Sequence, residues 1–340
     1  MQDSALEPVD LRLIHALQVA PRARWAALAP VVGADAVTLA RRWERLTRAG
    51  IAWVAGIPGP PLRGVTAMLE VQCSPAATLA LAEEVAGDAE AFTVDLTSGA
   101  RDLLVLVTAD DMTALSAYVM ERMAGFPAIR STHTHLMSTV FTEAAHWRLR
   151  ALSGAEVAAV RRTAAVPRPG RGRIDAGLEA ELLRELAFDG RLGASVLARR
   201  LGTGERRVRE GMAAMLASGR LEIRTDMAKT SSGRPVHAWY FLKVPAAIIN
   251  QVGAALSRIN EIRLAVTAIG PYNLVLSVWM RSLADVQGLE VMIEETLPGV
   301  AISDRSAVLR TVKNLGHRLD ATGRWTGQVV PVAAVRAPRG

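Results

Sequence analysis

LAPVVGADAVTLARRWERLTRAGI, residues 28–51, holds two helical patterns hinged on Gly33. Trp25 to Val32 reads as a short helix with Leu28 and Val32 inward. Gly33-Ala34-Asp35 makes a turn, and Asp35 can cap a helix from Ala36 to about Ala49, its carboxylate accepting an amide hydrogen from the first turn. Leu39, Trp43 and Leu46 fall at i, i+4 and i+7 and form its buried back. Arg41, Arg45 and Arg48 then share an outer face with Thr38, with Arg42 beside them. Upstream, Val9, Leu13, Ile14 and Leu17 lie on one face of a first helix. Three helices, a glycine turn and an arginine-bearing free face make a helix-turn-helix, whose last helix enters the major groove. Arginines there bridge phosphates or reach guanine edges. The apolar run Ile51 to Ile57 reads as a wing strand or a link to the next module.

Working outward, the pattern returns. Gly50 and Gly219 both close a basic helical stretch 169 positions apart, and the same shift superposes Leu13 on Leu182, Leu28 on Leu197 and Gly33 on Gly202. Leu178, Leu182, Leu183 and Leu186 repeat the first helix, and Arg206, Arg207 and Arg209 crowd the start of the third. Further on the register is 171, matching Gly99 with Gly270, Leu103 with Leu274 and Pro127 with Pro298. The two extra residues fit a hairpin from Asp226 to Pro235, expected to be a basic wing carrying Arg224, Lys229 and Arg234. Self-similarity at a fixed period marks a repeated structural unit.

Between these helical parts, residues 65–141 alternate strand and helix patterns. Strands are expected at Val65–Val71, Phe92–Leu96, Leu103–Thr108 and Ile129–Phe141, and helices at Ala76–Ala86 and Asp110–Ala124. The order βαββαβ implies a ferredoxin-like sandwich, repeated over residues 237–313. A lone copy would leave one sheet face bare, so it should pair with another such sheet. The fold class expected is α+β, a tandem repeat of winged helix-turn-helix plus ferredoxin-like module. The domains are 6–60 and 174–236 (winged helices), 63–142 and 237–316 (sensor modules), 143–173 (helical, basic linker around RRTAAVPRPGRGR) and 317–340 (tail).

Composition agrees with this. The 340 residues carry a formal charge of +7, almost all of the positive charge arginine, since Lys229, Lys243 and Lys313 are the only lysines. Cys73 is the only cysteine, which excludes an intrachain disulfide and a cysteine zinc cluster. Asp3, Glu7 and Asp10 stand where a signal peptide needs basic residues and an apolar run, and no uncharged stretch reaches spanning length. A cytoplasmic protein without a membrane association is expected. His133 and His135 sit two apart on one strand without a third ligand, and no phosphate loop, HExxH or GxSxG occurs, so neither a metal nor another cofactor is expected.

These stretches together resemble the Lrp/AsnC (feast/famine) family of transcription regulators, twice over. The first set is LAPVVGADAVTLARRWERLTRAGI, TSGARDLLVLV and FPAIRSTHTHLMSTV; the second is LARRLGTGERRVREGMAAMLASGRL, AIGPYNLVLSV and LPGVAISDRSAVLRTV. The resemblance implies double-stranded DNA and an amino acid or related metabolite as partners, and a homo-oligomer, dimer or higher. It places Thr38, Arg41, Arg42, Arg45, Arg206, Arg207, Arg209, Lys229 and Arg234 on DNA. It places Gly99, Asp102, Gly270 and Asn273 near an effector pocket at a subunit interface, although Gly99 and Gly270 read equally as hairpin turns. Asp102 would hold an effector's ammonium, a charge that Asn273 lacks. Trp43 becomes Met212 and Arg41 becomes Glu210, so two unequal readers should prefer unequal half-sites. The chain is therefore expected not to be an enzyme. The nearest alternative is a fused sirohaem decarboxylase, whose histidine-asparagine-tyrosine motif is missing from FTVDLTSGARDLL and RLAVTAIGPYNLV. An effector-controlled assembly protein without DNA binding is a third reading.

Overall fold

The computed structural model describes residues 6–60, 64–143, 147–164, 175–297 and 299–334. The elements of the first part are α1 (Pro8–Val19), α2 (Trp25–Val32), α3 (Ala36–Arg48), β1 (Ala52–Pro58), β2 (Val65–Cys73), α4 (Thr78–Val85), β3 (Ala91–Thr97), β4 (Leu103–Ala109), α5 (Met112–Ala117) and β5 (Ile129–Thr142). Then follow α6 (Gly154–Thr163), α7 (Ala176–Phe188), α8 (Ala194–Arg200), α9 (Glu205–Ala217), β6 (Leu221–Met227), β7 (Val236–Lys243) and α10 (Ile249–Leu256). The last are β8 (Ile262–Ile269), β9 (Leu274–Met280), α11 (Asp285–Thr296), β10 (Ala301–Asn314), β11 (His317–Leu319) and β12 (Trp325–Val329). The linker residues 165–173 and the matched Pro298 lie outside the described residues.

The chain divides into two units that cut across the expected domain order: Met1–Arg63 with Arg148–Ala228 and Arg324–Gly340, and Gly64–Trp147 with Lys229–Gly323. In the first unit, Leu13, Ile14, Leu17, Leu28, Leu39 and Leu46 are buried between α1, α2 and α3. Leu178, Leu182, Leu186, Leu197, Val208 and Met215 do the same for α7, α8 and α9. Gly33 ends α2 at φ +86°, a left-handed conformation that glycine adopts without penalty. Asp35 caps α3 by accepting from the Val37 and Thr38 amides; Gly204, the corresponding residue before α9, has no side chain to do so. α6, opened by a Ser153–Glu156 capping box, packs on α1 and α2 and is tied to α1 by a 2.6 Å pair between Glu156 and Arg12.

β1 and β6 pair with each other, antiparallel, with Ala55 opposite Arg224 at the centre. Those two positions are 169 apart, so the ribbon is arranged about a local twofold. The ends agree: Ala228 donates to the Ile51 carbonyl (2.8 Å) and Gly59 to that of Arg220 (2.9 Å). Arg22 donates to the Gly190 and Leu192 carbonyls, and Arg191 reciprocates on those of Pro21 and Ala23. The tail expected over 317–340 is corrected here, since it holds β11 and β12. Trp325 of β12 donates to the Gly50 carbonyl (2.9 Å) and meets the Trp53 ring at 6.1 Å.

The second unit is an antiparallel sheet in the order β3-β4-β2-β5-β8-β9-β7-β10, closed by pairing of β10 with β3, with β11 added to the end of β10. Strand alternation gives it two faces. Ala67, Leu69, Val71, Leu103, Val105 and Val107 face α4 and α5, while Met68, Leu104, Leu106, Phe241, Val266 and Val275 fill the barrel. Tyr240, Leu242, Leu274 and Leu276 face α10 and α11. The two closing seams have one register. Met137, Val140 and Thr142 oppose Ala268, Val266 and Ala265, and Val308, Thr311 and Lys313 oppose Thr97, Asp95 and Val94. Each residue of one set stands 171 positions from its counterpart in the other. The bare sheet face expected for one module is thus covered by the other within the same chain. Among the described residues no helix is long and apolar enough to cross a membrane.

Candidate nucleic-acid interface and ligand groove

The helix faces expected to meet DNA are outward, but their cations differ in availability. On α3, Arg42 bonds Glu7 (2.8 Å) and Asp10 (3.1 Å), and Arg45 bonds Asp10 (2.7 Å), a carboxylate only 1% exposed. The Arg42 hydrogen bond holds the Glu7 carboxyl below its usual range. Thr38 donates its hydroxyl to Asp35 (2.6 Å) and belongs to the cap. Arg41 is exposed and forms no ion pair among the described residues. Val37, beside it at the start of the helix, is 78% exposed.

α9 carries its positive charge differently. Arg206 pairs with Glu210 (2.8 Å), Arg207 with Asp175 (2.8 Å) and Arg209 with Glu205 (3.8 Å). All are solvated pairs, which stabilise little and can exchange for phosphate. Glu210 occupies the position of Arg41, so one acid stands where α3 has its free cation.

The basic wing is corrected. Arg224 is buried in β6 against Asp226 (2.9 Å). Lys229 and Arg234 belong to the second unit. Burial lowers the Lys229 amine below its usual range, with Asp95 opposing, and Arg234 is tied to Glu261 (2.8 Å). The two strands that such a hairpin would join pair elsewhere, β6 with β1 and β7 with β9 and β10.

The residues expected around an effector are brought together in two equivalent corners, in roles the sequence did not disclose. Gly99 has φ +92°. The Asp102 carboxylate accepts from the Cys73 amide (2.8 Å), and Asn273 clasps Val244 through both its amide (2.9 Å) and its carbonyl (2.7 Å). Both side chains therefore tie off the end of a first strand. A Cβ on Gly270 would lie 2.4 Å from Nδ1 of His135, so that turn needs glycine. An open groove of about 410 Å³ lies beside it, lined by Lys243, Val244, Pro245, Gly270, Asn273 and Gly299 among others.

Charges inside the barrel end were missed. Arg101 bonds Glu70 (3.0 Å), Asp304 (2.5 Å) and Ser306 (2.7 Å) and lies 4.2 Å over the Phe241 ring. His135 meets Glu70 (3.3 Å) and the Tyr272 hydroxyl (3.1 Å). The available signal was parity, since Glu70 shares a strand face with Met68, which points into the barrel. Further along the barrel Asp95 accepts from Trp239 (2.9 Å) and Thr311 (2.6 Å), and burial pushes its carboxyl up to about 6. His133 is exposed while His135 is buried, and no cluster of three metal-ligating side chains occurs among the described residues.

With this geometry in hand, residues 6–47 match the profile of the AsnC-type helix-turn-helix domain and residues 66–144 that of the Lrp/AsnC ligand binding domain. An uncharacterized HTH-type transcriptional regulator of Pyrococcus abyssi is 28% identical over 138 residues, 40% of this chain and 87% of its own length. One of Pyrococcus horikoshii is 27% identical over the same shares. Among solved structures, the sirohaem decarboxylase NirDL is similar with a TM-score of 0.52 at 15% identity, covering 91% of this chain and 93% of its own. At that identity the likeness is one of fold. It nevertheless overturns the expectation that the chain is not an enzyme, because an enzyme shares this architecture across almost the whole chain. Near its N-terminus the chain thus carries one match to each of two Lrp/AsnC-type domains.

Proposed function

We propose that the chain is a sequence-specific DNA-binding transcriptional regulator of the Lrp/AsnC type, built as a tandem duplication and responsive to a small metabolite. Its modules would be 6–60, 63–142, 174–236 and 237–316, joined by 143–173 and followed by 317–340. The observation that carries this reading is the β1–β6 ribbon, whose centre pairs positions 169 apart and joins two three-helix units as a homodimer would join two copies. The seams of the barrel, related by 171 positions, support it independently. Double-stranded DNA is the partner proposed for α3 and α9, through Thr38, Arg41, Arg42 and Arg45 on one and Arg206, Arg207 and Arg209 on the other. Arg41 leads, being free, whereas Arg42 and Arg45 are shared with Asp10. A cytoplasmic location and further association of whole chains go with this reading.

Mobility shifts at two salt concentrations test it. Removing a cation that neutralises one phosphate flattens the salt slope by about one, so Arg41→Ala should weaken binding by about tenfold or more and reduce that slope. Unchanged affinity in Arg41→Ala, or binding insensitive to salt, would show that α3 does not meet DNA.

A second reading, a decarboxylase-like enzyme acting on a tetrapyrrole, is favoured by the near full-length fold likeness to NirDL. The buried His135, Tyr272, Glu70 and Arg101 are the acid–base groups it would draw on. Titration with an iron–uroporphyrin separates the two readings: a saturable change in its absorption supports the enzyme.

A further inference from the structure

Two corners of the barrel correspond, each where a module's first strand ends against its hairpin turn. In the first, Gln72 Nε2 donates to the Ala100 carbonyl (2.8 Å) and Gln72 Oε1 accepts from Ser131 (2.9 Å). One amide therefore ties the end of β2 to the turn and to β5. At the second corner, 171 positions on, Lys243 replaces Gln72 and Ile302 replaces Ser131. An ammonium group accepts no hydrogen bond and isoleucine donates none, so the same tie cannot form. The groove of about 410 Å³ lies at this second corner, bounded by Lys243, Pro245, Gly270, Asn273, Gly299 and Ala301. Gly299 and Ala301 keep its far wall small where the first module has Ala128 and Arg130.

The chemistry of the groove points to one ligand class. Lys243 is its only charged lining residue, is exposed, and forms no ion pair among the described residues. The Asn273 side chain bonds Val244 through its carbonyl oxygen and one of its two N–H groups. The one charge offered to a ligand is thus an ammonium group, beside proline, valine and alanine surface. That suits a single carboxylate on a small partly apolar body; a phosphate dianion calls for several converging donors. At the first corner one oxygen of the Asp102 carboxylate accepts from the Cys73 amide.

We infer that the chain has one open ligand groove rather than two, and that it takes a small carboxylate-bearing molecule with the carboxylate on Lys243. The inference rests on the ligand-responsive reading proposed above, but its test needs no DNA. Full-length protein would be titrated calorimetrically with acetate, pyruvate, succinate and glutamate, with acetamide and succinamide as neutral matches and inorganic phosphate as the alternative anion. At least one carboxylate should bind at one equivalent per chain and its amide should not. Lys243→Gln should weaken that binding about tenfold or more, as losing a hydrogen bond to a charged group does, while Lys243→Arg retains it. Gln72→Lys should raise the stoichiometry toward two. Unchanged thermal melting of the variants shows that folding is intact. Two equivalents in the parent, equal binding by Lys243→Gln, preference for phosphate or the amides, or no carboxylate bound at all would overturn the inference. Failure here with intact DNA binding would leave the regulator reading standing, and carboxylate binding without DNA binding would do the reverse.

Discussion

The halves of this chain agree where they touch and differ where they face outward. The β5–β8 and β10–β3 seams keep one register, and Arg22 and Arg191 exchange the same backbone contacts. By contrast, α3 begins on the Asp35 cap and presents Arg41, while α9 begins on Gly204 and presents Glu210. Acids at corresponding positions also have different partners. Asp10 holds Arg42 and Arg45 of α3, whereas its counterpart Glu179 holds Arg220 at the start of β6 (2.5 Å). A paired backbone tolerates few registers, because a slip of one residue turns every side chain to the wrong face. Solvated positions carry no such constraint, so positions 169 or 171 apart share backbone geometry while their polar chemistry differs.

The frame itself can be broken at one point. Gly59 and Ala228 are counterparts, each donating its amide across the ribbon. A Cβ on Gly59 would fall 1.8 Å from the Gly219 carbonyl oxygen, which is backbone and cannot swing aside. Gly59→Ala should therefore cost about 3 kcal/mol or more in urea unfolding, and Ala228→Gly about 1 kcal/mol or less. Equal costs would mean the two strand ends are packed alike.

The next effect contrasts Asp95 with its counterpart Val266, which cannot titrate. Burial raises the folded carboxyl from 3.8 to about 6, against hydrogen bonds from Thr311 and Trp239. The folded state then binds the proton more tightly than the unfolded chain, so stability falls as pH rises from about 4 to 6 and is level above that. Asp95→Asn removes this loss. Its stability relative to the parent should improve by on the order of 2–3 kcal/mol between pH 4 and pH 7, read from urea midpoints. A difference independent of pH would show that Asp95 ionises freely in the fold. His15, whose pKa burial lowers to about 4, acts in the opposite sense in both proteins, losing stability as pH falls below 6.5.

Much of the frame was legible in the sequence. The leucine spacing located α1 and α7, Asp35 was the cap, and the strands between Val65 and Thr142 lie within a residue or two of their expected limits. The pairings were not legible, because partners as distant in sequence as Ala55 and Arg224 or Thr97 and Val308 leave no local pattern. Lys229 and Arg234 looked like a wing because a basic hairpin reads the same whether its charges are solvated or, as here, opposed by Asp95 and Glu261. Asp102 and Asn273 were expected near an effector, and sequence spacing did not disclose the backbone hydrogen bonds that they make. The helix expected over Asp110–Ala124 closes with a wider turn at Tyr118–Met123, a change of hydrogen bonding that side-chain periodicity does not register.

The most direct test of two unequal readers on one frame is selection of bound duplexes from a random pool, sequenced after several rounds at moderate salt. The expected result is an enriched site with two different half-sites, of which only one relaxes in Arg41→Ala. Enrichment of perfect palindromes whose halves respond equally to Arg41→Ala, or no enrichment at all, would contradict it.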